Sequence, residues 1–299
     1  MSEKDRHGVP LQSCCCLKCG LVFNNPIPDE RELREFYGQH YRVSYKKTSE
    51  PKHKHHVRYA GSVVKQIAAN PEIYNKAKTM LDIGSGSGEA LALLSQIGLE
   101  VEGIEPTKGY ATYVSKTFGV PVFNGFLDDY SSDKTFDLIR LNHVLEHMCK
   151  PVEKLITIRK LLSKDGVLHV EVPDIRSYFK AKSPGRVFHY GHIYNYADET
   201  LLMTAALAGL HEVARLGPTS IYFKQCEPFE IKANPELGPE LMTMNKLHQS
   251  GKYRQQNRIV FNMLNKMKNR LNERVIVNRL GSPTLIIEHF AEKVKASLG

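Results

Sequence analysis

The densest piece of chemistry in this chain is the turn Asp82-Ile83-Gly84-Ser85-Gly86-Ser87-Gly88, which closes the apolar run Thr79-Met80-Leu81. Glycine permits backbone angles closed to other residues and leaves no side chain in a ligand's way, so alternating glycines suit close approach to a small molecule. A second acid, Glu105, ends the next apolar run about twenty residues on, where a carboxylate can accept from both hydroxyls of a ribose. A plain strand-to-helix turn is the simpler reading of the glycines, and a dinucleotide loop offers the same acid. The dinucleotide fingerprint, however, wants a third glycine three positions after the second, and Gly84 and Gly86 are followed by Glu89 at that place. A glutamate opening the helix would meet a pyrophosphate with like charge.

Three histidines are candidates for acid-base work, because imidazole titrates near neutral pH. His143 follows the apolar run Leu138-Ile139-Arg140-Leu141 with Asn142 before it; His189 and His192 lie in Phe188-His189-Tyr190-Gly191-His192. A surface or packing role is the alternative for each. The segment His143-Val144-Leu145-Glu146-His147 also matches the H-x-x-E-H zinc-peptidase pattern, which sets two histidines and a glutamate on one helical face. Its position after a strand of a cofactor-binding unit argues against that chemistry.

The motifs resemble the class I S-adenosylmethionine-dependent methyltransferases. The matching pieces are the turn at Asp82, Gly103-Ile104-Glu105-Pro106, Phe136-Asp137-Leu138-Ile139, His143 to His147 with Pro151, and Leu161-Leu162-Ser163-Lys164-Asp165-Gly166-Val167-Leu168. The resemblance covers residues 78–228 and implies roles for individual residues. Asp82 and the backbone of Gly84, Ser85, Gly86 and Gly88 are expected to hold the methionine part of S-adenosylmethionine. Glu105 is expected on the ribose hydroxyls, Thr107 beside them, and Phe126 and Leu127 around the adenine. Asn142 and His143 are expected to face the methyl group, with His189 and His192 able to close over it. Family members that methylate base amines often carry Asn/Asp-Pro-Pro-Tyr/Phe where this chain has Asn142-His143-Val144-Leu145, which disfavours those acceptors. A sugar or other small-molecule hydroxyl is the expected acceptor; an RNA methyltransferase and a non-catalytic S-adenosylmethionine-binding protein are the alternatives.

The elements that must position these residues follow from periodicity. Short apolar runs at 79–83, 101–104, 120–123, 136–141 and 166–172 alternate with helical stretches, which means a parallel sheet covered on both faces. Pro121 makes the third run an edge or marks a strand start. Residues 212–216 and 220–224 read as a closing antiparallel hairpin. The expected fold is thus α/β, a Rossmann-like class I methyltransferase sheet with helical additions at both ends. A helix is expected to start near Val144.

Residues 1–50 read as a cysteine knuckle with a short helix opened by Pro28-Asp29-Glu30, residues 51–228 as the methyltransferase domain, and residues 229–299 as a basic helical extension. Cys16-Leu17-Lys18-Cys19-Gly20 resembles half of a zinc ribbon. A subset of bacterial methyltransferases carries such a ribbon, followed by a Tyr-rich stretch like Phe36 to Tyr41, and often modifies sugars for surface polysaccharides or secondary metabolites. Tetrahedral zinc needs four ligands, and here the first knuckle is missing, so Cys16 and Cys19 read as a degenerate pair that only His53, His55 and His56 could complete.

The net charge of +9 gathers in the extension, where Glu273 is the only acid between Lys246 and Arg279. Val260, Leu264, Met267 and Leu271 recur at helical spacing and ask for an apolar partner, either the catalytic unit or a second copy in a homodimer. The basic face suits RNA or another anionic partner by charge alone. The polar start, the unframed cysteines and the lack of a long apolar run predict a cytoplasmic protein without a transmembrane segment.

Overall fold

The computed structural model describes residues 1–6, 8, 10–37, 51–183, 185–251 and 256–298, with backbone alone for 256–266. In chain order the elements are β1 (Ser2–Lys4), β2 (Pro10–Cys15), β3 (Val22–Asn24), α1 (Glu30–Glu35), α2 (His53–Ala69), α3 (Pro71–Lys76), β4 (Thr79–Ile83), α4 (Glu89–Gln96), β5 (Glu100–Ile104), α5 (Lys108–Phe118), β6 (Val122–Phe123) and β7 (Phe136–Asn142). There follow α6 (Pro151–Lys160), β8 (Leu162–Glu171), α7 (Ile175–Ala181), β9 (Tyr194–Asn195), α8 (Asp198–Leu207), β10 (Leu210–Gly217), β11 (Ser220–Gln225), α9 (Leu237–Gln249), α10 (Gln256–Leu280) and α11 (Pro283–Leu298).

The main sheet has seven strands in the order β10-β11-β8-β7-β4-β5-β6. Strand β4 pairs in parallel with β5 and β7, and β5 in parallel with β6, which is the sheet edge and starts directly after Pro121. Strands β10 and β11 close the sheet as an antiparallel hairpin. This is the Rossmann-like α/β sheet expected from the alternation of apolar runs.

The chain divides into two compact units. One comprises Arg34–Leu141, Leu161–Leu168 and Met263–Gly299. Its centre is β4, whose Met80, Leu81 and Ile83 are buried because neighbouring strands and helices cover both faces. Helix α4 buries Ala90 to Leu94, and α2 turns in Val57, Ala60, Val63 and Ile67. Helix α11 lays Ile286, Ile287, Phe290, Ala291 and Val294 against α2 and α4. The end of the chain, expected outside the α/β unit, is thus part of its packing, because an apolar stripe at 3.6-residue spacing must be covered. Gly61 on α2 faces this helix, where a Cβ would stand in ordinary contact, 3.7 Å from the Phe290 ring.

The other unit comprises Met1–Leu33, Asn142–Lys160 and His169–Asn262. Here β1, β2, β3 and β9 form a second, four-stranded sheet, with β3 pairing antiparallel to β9. It covers a core that includes Leu11, Val22, Phe179, Phe188, Leu237 and Leu241. The knuckle expected at Cys16 is the turn between β2 and β3. Helix α1 opens on a reciprocal cap, in which the Glu32 amide donates to the Asp29 carboxylate at 2.7 Å and the Asp29 amide to Glu32 at 2.8 Å.

Residues 229–299 fall partly in each compact unit. Two further expectations change. The helix expected near Val144 is a single 3-10 turn, Leu145–His147, and the α-helix begins only at Pro151. Met267 and Leu271 are 56% and 61% exposed, so the apolar contact expected of them is not made among the described residues, and the side chains of Val260 and Leu264 lie outside those. The Tyr-rich stretch beyond Tyr37 also lies outside them. No helix among the described residues is long and apolar enough to cross a membrane.

Replacing the fully buried Ile287 by alanine should destabilise the protein by about 2–5 kcal/mol, whereas Met267→Ala should stay within about 0.5 kcal/mol. Urea unfolding of the two variants beside the wild type measures both. An Ile287→Ala effect as small as that of Met267→Ala would show that α11 is not part of the folded core.

Candidate active site

The glycine turn leaves β4 and enters α4 with φ angles of +72°, +56° and +79° at Gly84, Gly86 and Gly88, a region that disfavours any other residue. At Gly88 a Cβ would also lie 2.5 Å from Val114 on α5. The turn is tied down by its own amides. Gly84 and Ser85 donate to the Ile104 carbonyl at 2.8 and 3.0 Å, Gly86 to the Glu105 carboxylate at 2.9 Å, and Gly88 to the Ser85 carbonyl at 3.0 Å. Four of the five amides from 84 to 88 therefore have partners inside the protein. What the turn offers a ligand is chiefly carbonyl oxygen, which attracts cations and donors and repels phosphate.

Glu105 is the hub of this arrangement. It is buried, and its second carboxylate oxygen accepts from the Thr107 amide at 3.0 Å. Each oxygen keeps further acceptor capacity for a hydroxyl. Thr107 is brought beside the acid by its backbone. The Ser85 side chain packs down on β5, where a Cβ at Gly103 would meet its Oγ at 3.1 Å, so Ser85 contributes backbone more readily than hydroxyl.

Asp82 and Arg140 are register partners on β4 and β7, and the guanidinium Nη1 stands 3.2 Å from one Asp82 oxygen and 3.5 Å from the other. Complete burial pushes the Asp82 carboxyl above the usual range, while the charge and hydrogen bond of Arg140 oppose the rise. Arg140 is not among the residues expected at the site; an arginine set among Leu138, Ile139 and Leu141, level with an acid on the next strand, is the signal that could have found it.

Glu89 is buried and committed too. Its carboxylate stands 2.9 Å from His56 Nδ1 and accepts from the Ser87 hydroxyl at 2.7 Å, while His56 Nε2 lies 2.8 Å from the Tyr113 hydroxyl. His56 is thereby engaged in α/β packing. Past β6, Leu127 is buried in a 3-10 turn and the Phe126 ring lies under the Arg34 guanidinium at 4.7 Å, which is itself paired with Asp129 at 2.7 Å.

The second compact unit holds the histidines. His143 directly follows β7 at φ +56°, the one non-glycine residue with positive φ among the described residues, and its amide donates to the Glu171 carbonyl at 2.7 Å. Such a conformation costs on the order of 1–3 kcal/mol and clusters at functional sites. The half-exposed imidazole is flanked by two carboxylates, Glu146 at 3.5 Å from Nδ1 and Glu171 at 3.6 Å from Nε2. The Asn142 side-chain oxygen is buried with no hydrogen-bond donor among the described residues.

His189 and His192 do not play equal parts. His189 is buried, and its Nδ1 accepts from the Gly191 amide at 2.9 Å, which makes it a brace for its own loop. His192 packs its ring 4.9 Å from that of His147 and 5.0 Å from that of His189. Burial holds the His192 imidazole well below its ordinary pKa, with His147 and His189 adding to the effect. Glu146, His147 and His192 bring one ligand atom each within 4.8 Å of one another. In the sequence His147 stands within the methyltransferase motif and within a peptidase pattern, with no role of its own. In the structure that pattern fails as a helical face, because His143 precedes the 3-10 turn and His192 takes its place in the group.

The Cys16 and Cys19 thiols face each other across the knuckle. Backbone hydrogen bonding from Cys19 lowers the Cys16 thiol, and burial raises that of Cys19. All six cysteines are free thiols.

With this geometry in place, comparison with known proteins settles the class. The family model described as a methyltransferase domain matches residues 53–212, more than half of the chain. A relative from Staphylococcus carnosus (strain TM300), named an uncharacterized methyltransferase, is 32% identical over 92 residues, which is 30% of this chain and 44% of that relative. The match thus spans less than half of the relative's length. Among solved structures, the sugar N-methyltransferase KedS8 from Streptoalloteichus sp ATCC 53650 is similar at 16% identity and a TM-score of 0.45, over 64% of this chain and 94% of that one. The 1,6-didemethyltoxoflavin-N1-methyltransferase of Burkholderia thailandensis is similar at 17% identity and a TM-score of 0.48, over 69% and 96%. This chain belongs to the methyltransferase-domain family, the class I S-adenosylmethionine-dependent methyltransferases.

Arg140→Met should leave the Asp82 carboxylate buried without its cation and cost about 3–5 kcal/mol at neutral pH. An acid whose folded-state pKa lies above its unfolded value loses stability as pH rises between the two, so the deficit should shrink on acidification, when Asp82 takes up a proton. Urea midpoints at acidic and neutral pH test the sign. A deficit that does not change with pH would assign it to lost packing instead.

Proposed function

We propose that this chain transfers a methyl group from S-adenosylmethionine to a hydroxyl of a sugar or other small molecule. The observation that carries the donor is the polarity of the glycine turn. With the Gly84, Ser85, Gly86 and Gly88 amides already bonded, the turn suits a cationic ammonium and sulfonium better than a pyrophosphate. When bound, S-adenosylmethionine supplies a methyl carbon on a positive sulfur, and its transfer to an acceptor oxygen leaves a neutral thioether.

The remaining steps fall to the chain's own residues. Asp82 and the carbonyls of the turn take the methionine ammonium, Glu105 the ribose hydroxyls, with Thr107 beside them and Phe126 and Leu127 around the adenine. Displacement at carbon is in line, so holding donor and acceptor in position does most of the work. His143 accepts the acceptor's hydroxyl proton, its ring standing between the carboxylates of Glu146 and Glu171. The cysteine knuckle supports an acceptor from surface-polysaccharide or secondary-metabolite biosynthesis, and six free thiols support a cytoplasmic setting.

Calorimetric titration with S-adenosylmethionine and with NAD tests the donor. The wild type should bind the first and not the second, and Glu105→Gln, which replaces one acceptor oxygen by a donor, should weaken binding about 10- to 100-fold. Unchanged affinity in that variant, or no binding by the wild type, sinks the assignment. Binding without turnover over a panel of hydroxyl acceptors would favour a non-catalytic role.

A further inference from the structure

Glu146 is a carboxylate in the wrong place for a structural acid. It is 1% exposed, and neither of its oxygens accepts a hydrogen bond among the described residues. A buried carboxylate in that condition is costly unless a cation meets it. The groups nearest to it are imidazoles, His147 Nε2 at 3.7 Å and His143 Nδ1 at 3.5 Å from the same oxygen.

His147 is braced through its other nitrogen: Nδ1 lies 2.5 Å from the Gly191 carbonyl and donates to it, while Nε2 stands on the Glu146 side. A histidine held on a backbone carbonyl through one nitrogen is the arrangement found behind metal-ligating imidazoles. His192 completes the group, and its buried Nδ1 has no hydrogen-bond partner among the described residues. The loop that carries it is fixed independently: the Asn24 amide donates to the Tyr190 and His192 carbonyls, both at 3.2 Å, and the His192 amide donates to the His189 carbonyl at 3.0 Å.

We propose that Glu146, His147 and His192 bind one divalent transition-metal ion. Two imidazole nitrogens and one carboxylate are the donor set of open zinc sites and of related first-row ions, with bonds of about 2.0–2.2 Å. Ligand atoms on such an ion stand about 3–3.5 Å apart. Glu146 and His147 are already near that spacing, and the 4.8 Å limit of the group leaves about 1 Å for the ion to close. Three protein ligands leave at least one position open for water. On the proposed methyl transfer, which this last point alone rests on, the open position takes the acceptor oxygen and lowers the pKa of its hydroxyl.

The test is titration of the full chain, stripped by a chelator, with Zn2+ and with Co2+. One equivalent should bind with a Kd below about 10 μM. The cobalt form should show ligand-field bands without the near-ultraviolet thiolate charge transfer that a site at Cys16 and Cys19 would produce. His147→Ala and His192→Ala should each weaken binding at least about 100-fold, while the double variant Cys16→Ser, Cys19→Ser should bind as the wild type does. Retained S-adenosylmethionine affinity and circular dichroism show that a variant is folded; if one is not, the wild-type cobalt spectrum still decides. Overturning results are no binding of either ion, binding that survives loss of both histidines, or a thiolate band. The cofactor titration is separate, so failure of the metal site and failure of the methyl-donor reading show up in different measurements.

Discussion

The hydrogen bonds of the Glu105 carboxylate organise everything around the glycine turn. A single buried side chain at the end of β5 accepts from the Gly86 amide on one side and the Thr107 amide on the other, at 2.9 and 3.0 Å. It thereby sets the height of the turn after β4 and the start of α5 with the same two oxygens. Charge-assisted bonds of this kind are about twice as strong as neutral ones. They also remove amides from circulation. Once Gly84, Ser85, Gly86 and Gly88 have spent their donors inside the protein, the turn can no longer act as a phosphate cradle. The glycines remain necessary, because only they tolerate the backbone angles at which those amides reach their partners.

The buried acids in this unit fall into two kinds. Asp82 is matched by Arg140 and Glu89 by His56, so each fixed charge has a partner on a neighbouring strand or helix. Glu105 is met by the Gly86 and Thr107 amides and by no cation among the described residues, which leaves its remaining lone pairs for a ligand. That difference leaves Glu105, of the three acids near the turn, with the most acceptor capacity for a ligand's hydroxyls.

Much of the α/β unit was legible because its signals are local. Met80, Leu81 and Ile83 make an apolar run bounded by a glycine turn, and Pro121 marks an edge or a strand start; neither needs knowledge of a distant residue. The four-stranded sheet was not legible for the opposite reason. Strand β3 has three residues and finds its partner at Tyr194 and Asn195, about 170 positions away, so no periodicity announces it. The same holds for the histidines. Residues 143 to 147 look like a helical metal motif by spacing, yet the chain makes only a 3-10 turn there and draws its third member from position 192. Arg140 was passed over because a strand pattern treats one polar residue as a face marker, whereas its meaning lies in the register that sets it level with Asp82.

This contrast bears on how activity divides over the chain. Donor recognition, on the proposed reading, is carried largely by backbone and by one carboxylate, so glycine spacing and a strand end suffice to specify it. Chemistry at the acceptor depends on side chains instead. The positive φ of His143 turns its ring between Glu146 and Glu171, and the 189–192 loop, held by Asn24 of β3, brings His192 to Glu146 and His147. A strand of the N-terminal sheet therefore supports a loop read as part of the acceptor machinery. That gives Asn24 and β3 a role in positioning which the cysteine knuckle, taken as a vestigial zinc module, would not have suggested.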